Sequence, residues 1–66
     1  MTMIQQEMSI PEILEQFPNT KRVFERYGLY PERYKAMAFE NVYASALVHQ
    51  IPLKSLLTEL NESAGI

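Results

Sequence analysis

The chain has 66 residues, enough for one small domain and no more. Six Lys and Arg against eight Asp and Glu leave a formal charge of −2, which argues against a binder driven by nucleic-acid phosphates. Cysteine is absent and histidine occurs once, so disulfide staples, thiol catalysis, thiolate-held zinc and Cys-ligated iron–sulfur clusters are excluded.

The apolar share is 47% and the charged share 21%, a globular balance rather than a disordered one. Met1 to Met8 lacks the basic and continuous apolar regions of a signal peptide. No apolar run approaches ~18 residues, so no membrane span and no membrane partner are expected. The expectation is a cytoplasmic domain. A chain this short buries only about 60% of its unfolded surface, so well-packed helices or oligomerisation are expected to support it.

Four apolar patterns follow one another, all at helical spacing. Ahead of them Thr2 to Met8 has a hint of alternation that suggests a short extended segment. Its apolar residues Met1, Met3, Ile4 and Met8 can form an adaptable surface, cover one end of the core or pair across a dimer. The first helix carries Ile10, Ile13, Leu14 and Phe17 at i, i+3, i+4 and i+7. Ser9 and Glu12 are spaced as a capping box, with Met8 and Ile13 at the staple positions. Pro11 falls in the first turn, where its missing N–H does no harm, and Pro18 ends the helix.

Asn19 or Thr20 is expected to cap a second helix that turns Val23, Phe24 and Tyr27 inward. Lys21 and Glu25 are spaced as an i,i+4 ion pair, and Gly28 stands where a left-handed terminator belongs. Leu29 to Lys35 reads as a loop. A third helix is expected to start between Tyr34 and Phe39, with the stripe Phe39, Val42, Tyr43, Ala46 and Leu47. Met37 and Val48 lie beside that stripe. The arc is broad for so small a domain: the helix is either deeply buried or turns a second face toward a partner. Gln50 to Pro52 interrupts, with Pro52 placed as an N1 residue that brings no capping oxygen. The fourth helix carries Leu53, Leu56, Leu57 and Leu60 and is expected to fade from Asn61, leaving 61–66 as a frayed tail. The fold class is therefore all-α: one domain, a compact array of about four short helices with a short extended N-terminal segment.

These landmarks come in a particular order. An apolar N-terminal segment precedes Ser9-Ile10-Pro11-Glu12-Ile13-Leu14-Glu15-Gln16-Phe17-Pro18. Val23-Phe24-Glu25-Arg26-Tyr27-Gly28-Leu29 follows, then an Ala-bearing helix, then Ile51 and the leucines up to Leu60. From Met3 to Asn61 this resembles the domain of unknown function 1858 family, the redox-disulfide domain associated with the hybrid cluster protein. It is similar in pattern to the N-terminal domain of iron–sulfur-cluster repair proteins. The resemblance implies a small all-α fold and a C-x-x-C pair shortly after the Tyr-Gly. Those two positions correspond to Pro31 and Tyr34, neither of which forms a thiolate or a disulfide. The redox role of the family therefore does not carry over. The family also commonly places a capping Asp before the last helix, where Pro52 stands here.

Candidate functional residues are few. Tyr30, Pro31, Arg33 and Tyr34 make the sharpest group. They form either an aromatic-basic contact patch for a partner or, for the two tyrosines, filler of core volume. His49 stands alone beside a helix end, where a cation is weakly favoured, and reads as a surface or capping residue. Glu7, Glu12, Glu15, Glu25, Glu59 and Glu62 read as solvated or capping carboxylates rather than acid–base pairs or metal ligands. No catalytic, phosphate-binding or metal motif is present, so no enzyme activity, cofactor or metal is expected. Lys21, Arg22, Arg26, Arg33 and Lys35 make at most a modest basic patch, and no nucleic-acid partner is expected. Two functions are expected to compete. One is a non-enzymatic interaction module, a redox-dead relative that forms a homodimer or docks on a protein partner. The other is an accessory factor in metal-cluster or nitrogen-oxide stress biochemistry without thiols of its own, which rests on the resemblance alone.

Overall fold

The computed structural model describes residues 3–33 and 39–65. Among them run α1 (Ile10–Gln16), a 3-10 turn (Pro18–Thr20), α2 (Lys21–Arg26), α3 (Val42–Val48) and α4 (Leu53–Ala64). The class is all-α, and among the described residues no helix is long and apolar enough to cross a membrane. Helices of six or seven residues are not stable alone in water, so α1, α2 and α3 depend on packing and on their ends.

The α1 start follows the sequence reading. The Ser9 hydroxyl accepts from the Glu12 N–H at 3.2 Å, and the Glu12 carboxylate accepts from the Ser9 N–H at 3.4 Å. Met8 packs against the core that contains Ile13. Phe17 closes α1, and Pro18 opens a 3-10 turn that runs straight into α2. Thr20 stands at the N-cap of α2, but neither it nor Asn19 supplies a side-chain cap. Thr20 is itself helical in backbone, fully buried, and its hydroxyl donates to the Phe17 carbonyl at 2.6 Å. Burial of a hydroxyl requires a partner, and the Phe17 carbonyl one turn back accepts from both the Thr20 N–H and the Thr20 hydroxyl. Lys21 and Glu25 make no ion pair; Arg26 makes one with Glu59, at 2.6 Å.

Gly28 ends α2 as expected, with φ +79°. The Gly28 N–H donates to Glu25 O at 3.0 Å and the Leu29 N–H to Phe24 O at 2.8 Å. This is the paired pattern of a Schellman end, with apolar side chains at its first and last positions. Phe24 and Leu29 both lie in the core, so Leu29 is a core residue rather than part of an open loop. α3 ends the same way. The Gln50 N–H donates to Leu47 O at 3.3 Å and the Ile51 N–H to Ala46 O at 2.8 Å. Here the left-handed position is held by Gln50, at φ 57°.

The N-terminal segment is only partly extended. Thr2 lies outside the described residues. Gln5 to Met8 is a turn closed by the Met8 N–H on Gln5 O at 3.1 Å, and Ser9 pairs with Asn41 in one isolated antiparallel bridge. This segment is a strap across two helices. Ile4, 2% exposed, is held by the Asn61 carboxamide of α4. Asn61 Oδ1 accepts from the Ile4 N–H at 2.8 Å, and Asn61 Nδ2 donates to Ile4 O at 3.2 Å. Further along, Met8 O accepts from the Val42 N–H at 2.9 Å and Gln6 O from the Tyr43 N–H at 3.1 Å.

α3 begins at Val42, later than the spacing suggests; Tyr34 to Ala38 lie outside the described residues. The reason is Asn41, whose backbone is extended and whose Oδ1 accepts from the Ala44 N–H at 2.7 Å. Pro52 is the N-cap of α4 rather than its first helical residue, and it supplies no side-chain oxygen. Nor does α4 fade at Asn61: it continues to Ala64 and closes on Gly65 in a left-handed conformation. The core gathers Ile4, Ile10, Ile13, Val23, Phe24, Leu29, Val42, Ala46, Leu56 and Leu60, so every helix and the strap contribute to it.

Two stability changes follow. Asn61→Ala leaves the buried Ile4 peptide groups unpaired and is expected to cost about 2 kcal/mol in a urea titration. An unchanged midpoint would show that the strap does not hold the fold. Gln50→Gly relieves a left-handed Cβ and is expected to stabilise by about 1 kcal/mol, raising the melting temperature by roughly 4–8 °C.

Candidate functional site

Three groups of side chains merit comparison. The first is the group singled out in the sequence. Tyr30 and Pro31 are half-buried and Glu32 and Arg33 exposed. The Arg33 N–H donates to Tyr30 O at 2.9 Å, closing a turn that brings the guanidinium carbon 4.8 Å from the Tyr30 ring centroid. That is a cation–π stack at the surface, worth about 0.5–1 kcal/mol. Tyr30 thus belongs wholly neither to the core nor to a free patch. Tyr34 and Lys35 lie outside the described residues.

The second group joins α2 to α4. Glu59 accepts from the Arg26 guanidinium through one oxygen and from the Tyr27 hydroxyl through the other. Glu59 reads in the sequence as a solvated carboxylate. Its partners lie 32 and 33 residues away, so no local spacing reveals them. The hydrogen bond to Glu59 raises the Tyr27 phenol above its ordinary value; partial burial and the nearby negative charge add to this, and Arg26 opposes it. Glu59 holds Tyr27 over the helix junction, and the group forms a strut rather than a reactive pair.

The third group is the outer side of α3. Val42, Ser45 and Ala46 turn inward, while Tyr43 is 49% exposed and Leu47 and Val48 each 68%. Phe39, just before the Asn41 cap, is 92% exposed. The stripe expected from spacing therefore splits. Only Val42 and Ala46 of it are buried, because the strap fixes the N–H groups of Val42 and Tyr43 and sets the rotation of the helix. Ser45 replaces Leu47 on the inner side, and its hydroxyl lies 3.4 Å from a Glu40 carboxylate oxygen. Four of the five large apolar side chains exposed among the described residues thus fall between positions 39 and 48. No charged residue lies within α3.

His49 is the exposed C-cap of α3. Lys21 and Arg22 are exposed on α2, while Arg26 is engaged by Glu59. Among the described residues no group of three His, Asp or Glu is placed to hold a metal ion. An open apolar groove of about 560 Å³ lies between Met3 and Ile4 of the strap and Leu53 and Leu57 of α4. Compared with models of known families, with curated proteins and with solved structures, the chain matches none.

The raised Tyr27 phenol has a pH consequence. A proton held more tightly in the folded state favours folding below the ordinary phenol value and loses that effect as the pH rises through the raised one. Stability is therefore expected to fall in alkali, beginning near pH 10, and Tyr27→Phe is expected to remove that part of the fall. An ultraviolet titration checks the same point: a phenol that ionises above the ordinary value in the folded wild type should be missing from the variant. A missing phenol that ionises at the ordinary value would contradict the Glu59 contact.

Proposed function

We propose that the chain is a non-enzymatic interaction module that works by associating with itself or by docking on a protein partner through the outer face of α3. One observation carries this reading. A helix with no charged residue and only one small hydroxyl belongs in an interior, yet α3 has Tyr43, Leu47 and Val48 in solvent. Clustered exposed apolar residues of this kind mark contact surfaces. The family resemblance fits alongside: Pro31 and Tyr34 stand where thiols are expected, so a relative of the redox-disulfide domain would retain its scaffold and lose its redox chemistry. We place the protein in the cytoplasm on the same reading. The stress-accessory reading finds no side-chain arrangement in its favour.

The test separates contact from folding. Leu47→Glu adds a charge to an exposed position and is expected to leave helicity and the urea midpoint within about 0.5 kcal/mol of wild type. Crosslinking and affinity capture with wild type should recover at least one chain, a copy or another protein, that Leu47→Glu loses. Identical capture by both proteins would contradict the reading. So would unfolding of the variant, which would make Leu47 part of the core.

A further inference from the structure

Resting on that reading, we infer that the chain covering the outer face of α3 is a second copy of this one, related by a two-fold axis with α3 against α3. Charge is the first argument. In a two-fold interface a residue at the axis lies against its own symmetry mate, so a charge at the centre faces a like charge. Val42 to Val48 contains none, and Tyr43, Leu47 and Val48 present nothing that a copy would repel. The same neutrality argues against a foreign partner, because recognition of another surface commonly uses complementary charge to steer and select. Glu40 and His49 flank the helix rather than interrupt it.

Area is the second argument. At the exposures given above, Phe39, Tyr43, Leu47 and Val48 present on the order of 500 Å², taking about 150–250 Å² for a whole aromatic side chain. Two copies would bury roughly 1,000 Å², the lower bound of a specific interface. That predicts a weak, concentration-dependent dimer rather than an obligate one. Geometry is the third. Tyr43 and Leu47 stand one turn apart at i and i+4, and such rows pack against each other at a crossing of about −50°. Tyr43 also suits the edge of this contact, since its ring packs while its hydroxyl stays wet.

The experiment is sedimentation equilibrium of the purified full chain from about 1 µM to 1 mM, for wild type, Leu47→Glu, Leu47→Lys and an equimolar mixture of the two variants. Wild type is expected to pass from monomer to dimer across that range. Each variant alone should associate at least about tenfold more weakly, and the mixture should regain dimer, because the two-fold axis brings Glu against Lys. A wild type that stays monomeric at the top of the range overturns the inference. So does a dimer that the variants leave unchanged, or one that the mixture does not restore. A monomeric wild type whose capture still yields a foreign chain lost in Leu47→Glu would overturn the second copy and leave the contact-surface reading standing. A monomer with no such capture would remove both.

Discussion

The Asn61 carboxamide treats the Ile4 peptide as a neighbouring strand would, accepting from its N–H and donating to its carbonyl. Its Nδ2 also reaches Leu57 O at 2.9 Å, within its own helix. Ile4 is buried, and burying peptide groups without partners is costly. An amide at position 61 lets the chain bury an apolar residue near its start without building a sheet. Once Ile4 is anchored, Gln6 and Met8 come within reach of α3, and their carbonyls accept from its first two N–H groups. Asn41 takes the third. The orphan donors at the α3 start are thus met by the N-terminal strap and one side chain, and a seven-residue helix acquires a fixed start.

Fixing that start also fixes the rotation of α3. Its inner side carries Val42, Ser45 and Ala46, small enough for the helix to lie close on the core beside α4. The larger Tyr43, Leu47 and Val48 are left outward. The same hydrogen bonds that complete the fold therefore create its apolar exterior. A domain of this size has little surplus stability, roughly 3–10 kcal/mol by its length. Association through that exterior would bind only the folded state and so stabilise it.

The legible parts of the fold are those decided within a few residues. Ser9 and Glu12 mark the α1 start, and Gly28 marks the α2 end, because caps are local chemistry. Leu29 was within reach of the same logic, since an apolar residue after a left-handed glycine pairs with one near the helix end. Long-range decisions were hidden. Nothing near Asn61 signals that its amide is needed by Ile4, 57 residues away. Thr20 resembles a cap by type, but burial turns its hydroxyl into a donor. The rotation of α3 was illegible for a different reason. With no charge in α3 and only the small Ser45 polar, helical spacing does not fix the seam, and the strap chooses it. At the candidate site, the Tyr30–Arg33 contact follows from residues close in sequence, whereas the outer face of α3 follows from that choice of seam.

Amide hydrogen exchange at single-residue resolution tests this dependence most directly. The Ile4, Val42 and Tyr43 amides each have a partner supplied from a distant part of the chain, so their protection reports the strap and nothing local. All three are expected to exchange as slowly as the central amides of α4. Rapid exchange at Val42 and Tyr43, beside slow exchange in α4, would mean that the strap does not set α3. The outward face of Tyr43, Leu47 and Val48 would then lose its physical basis.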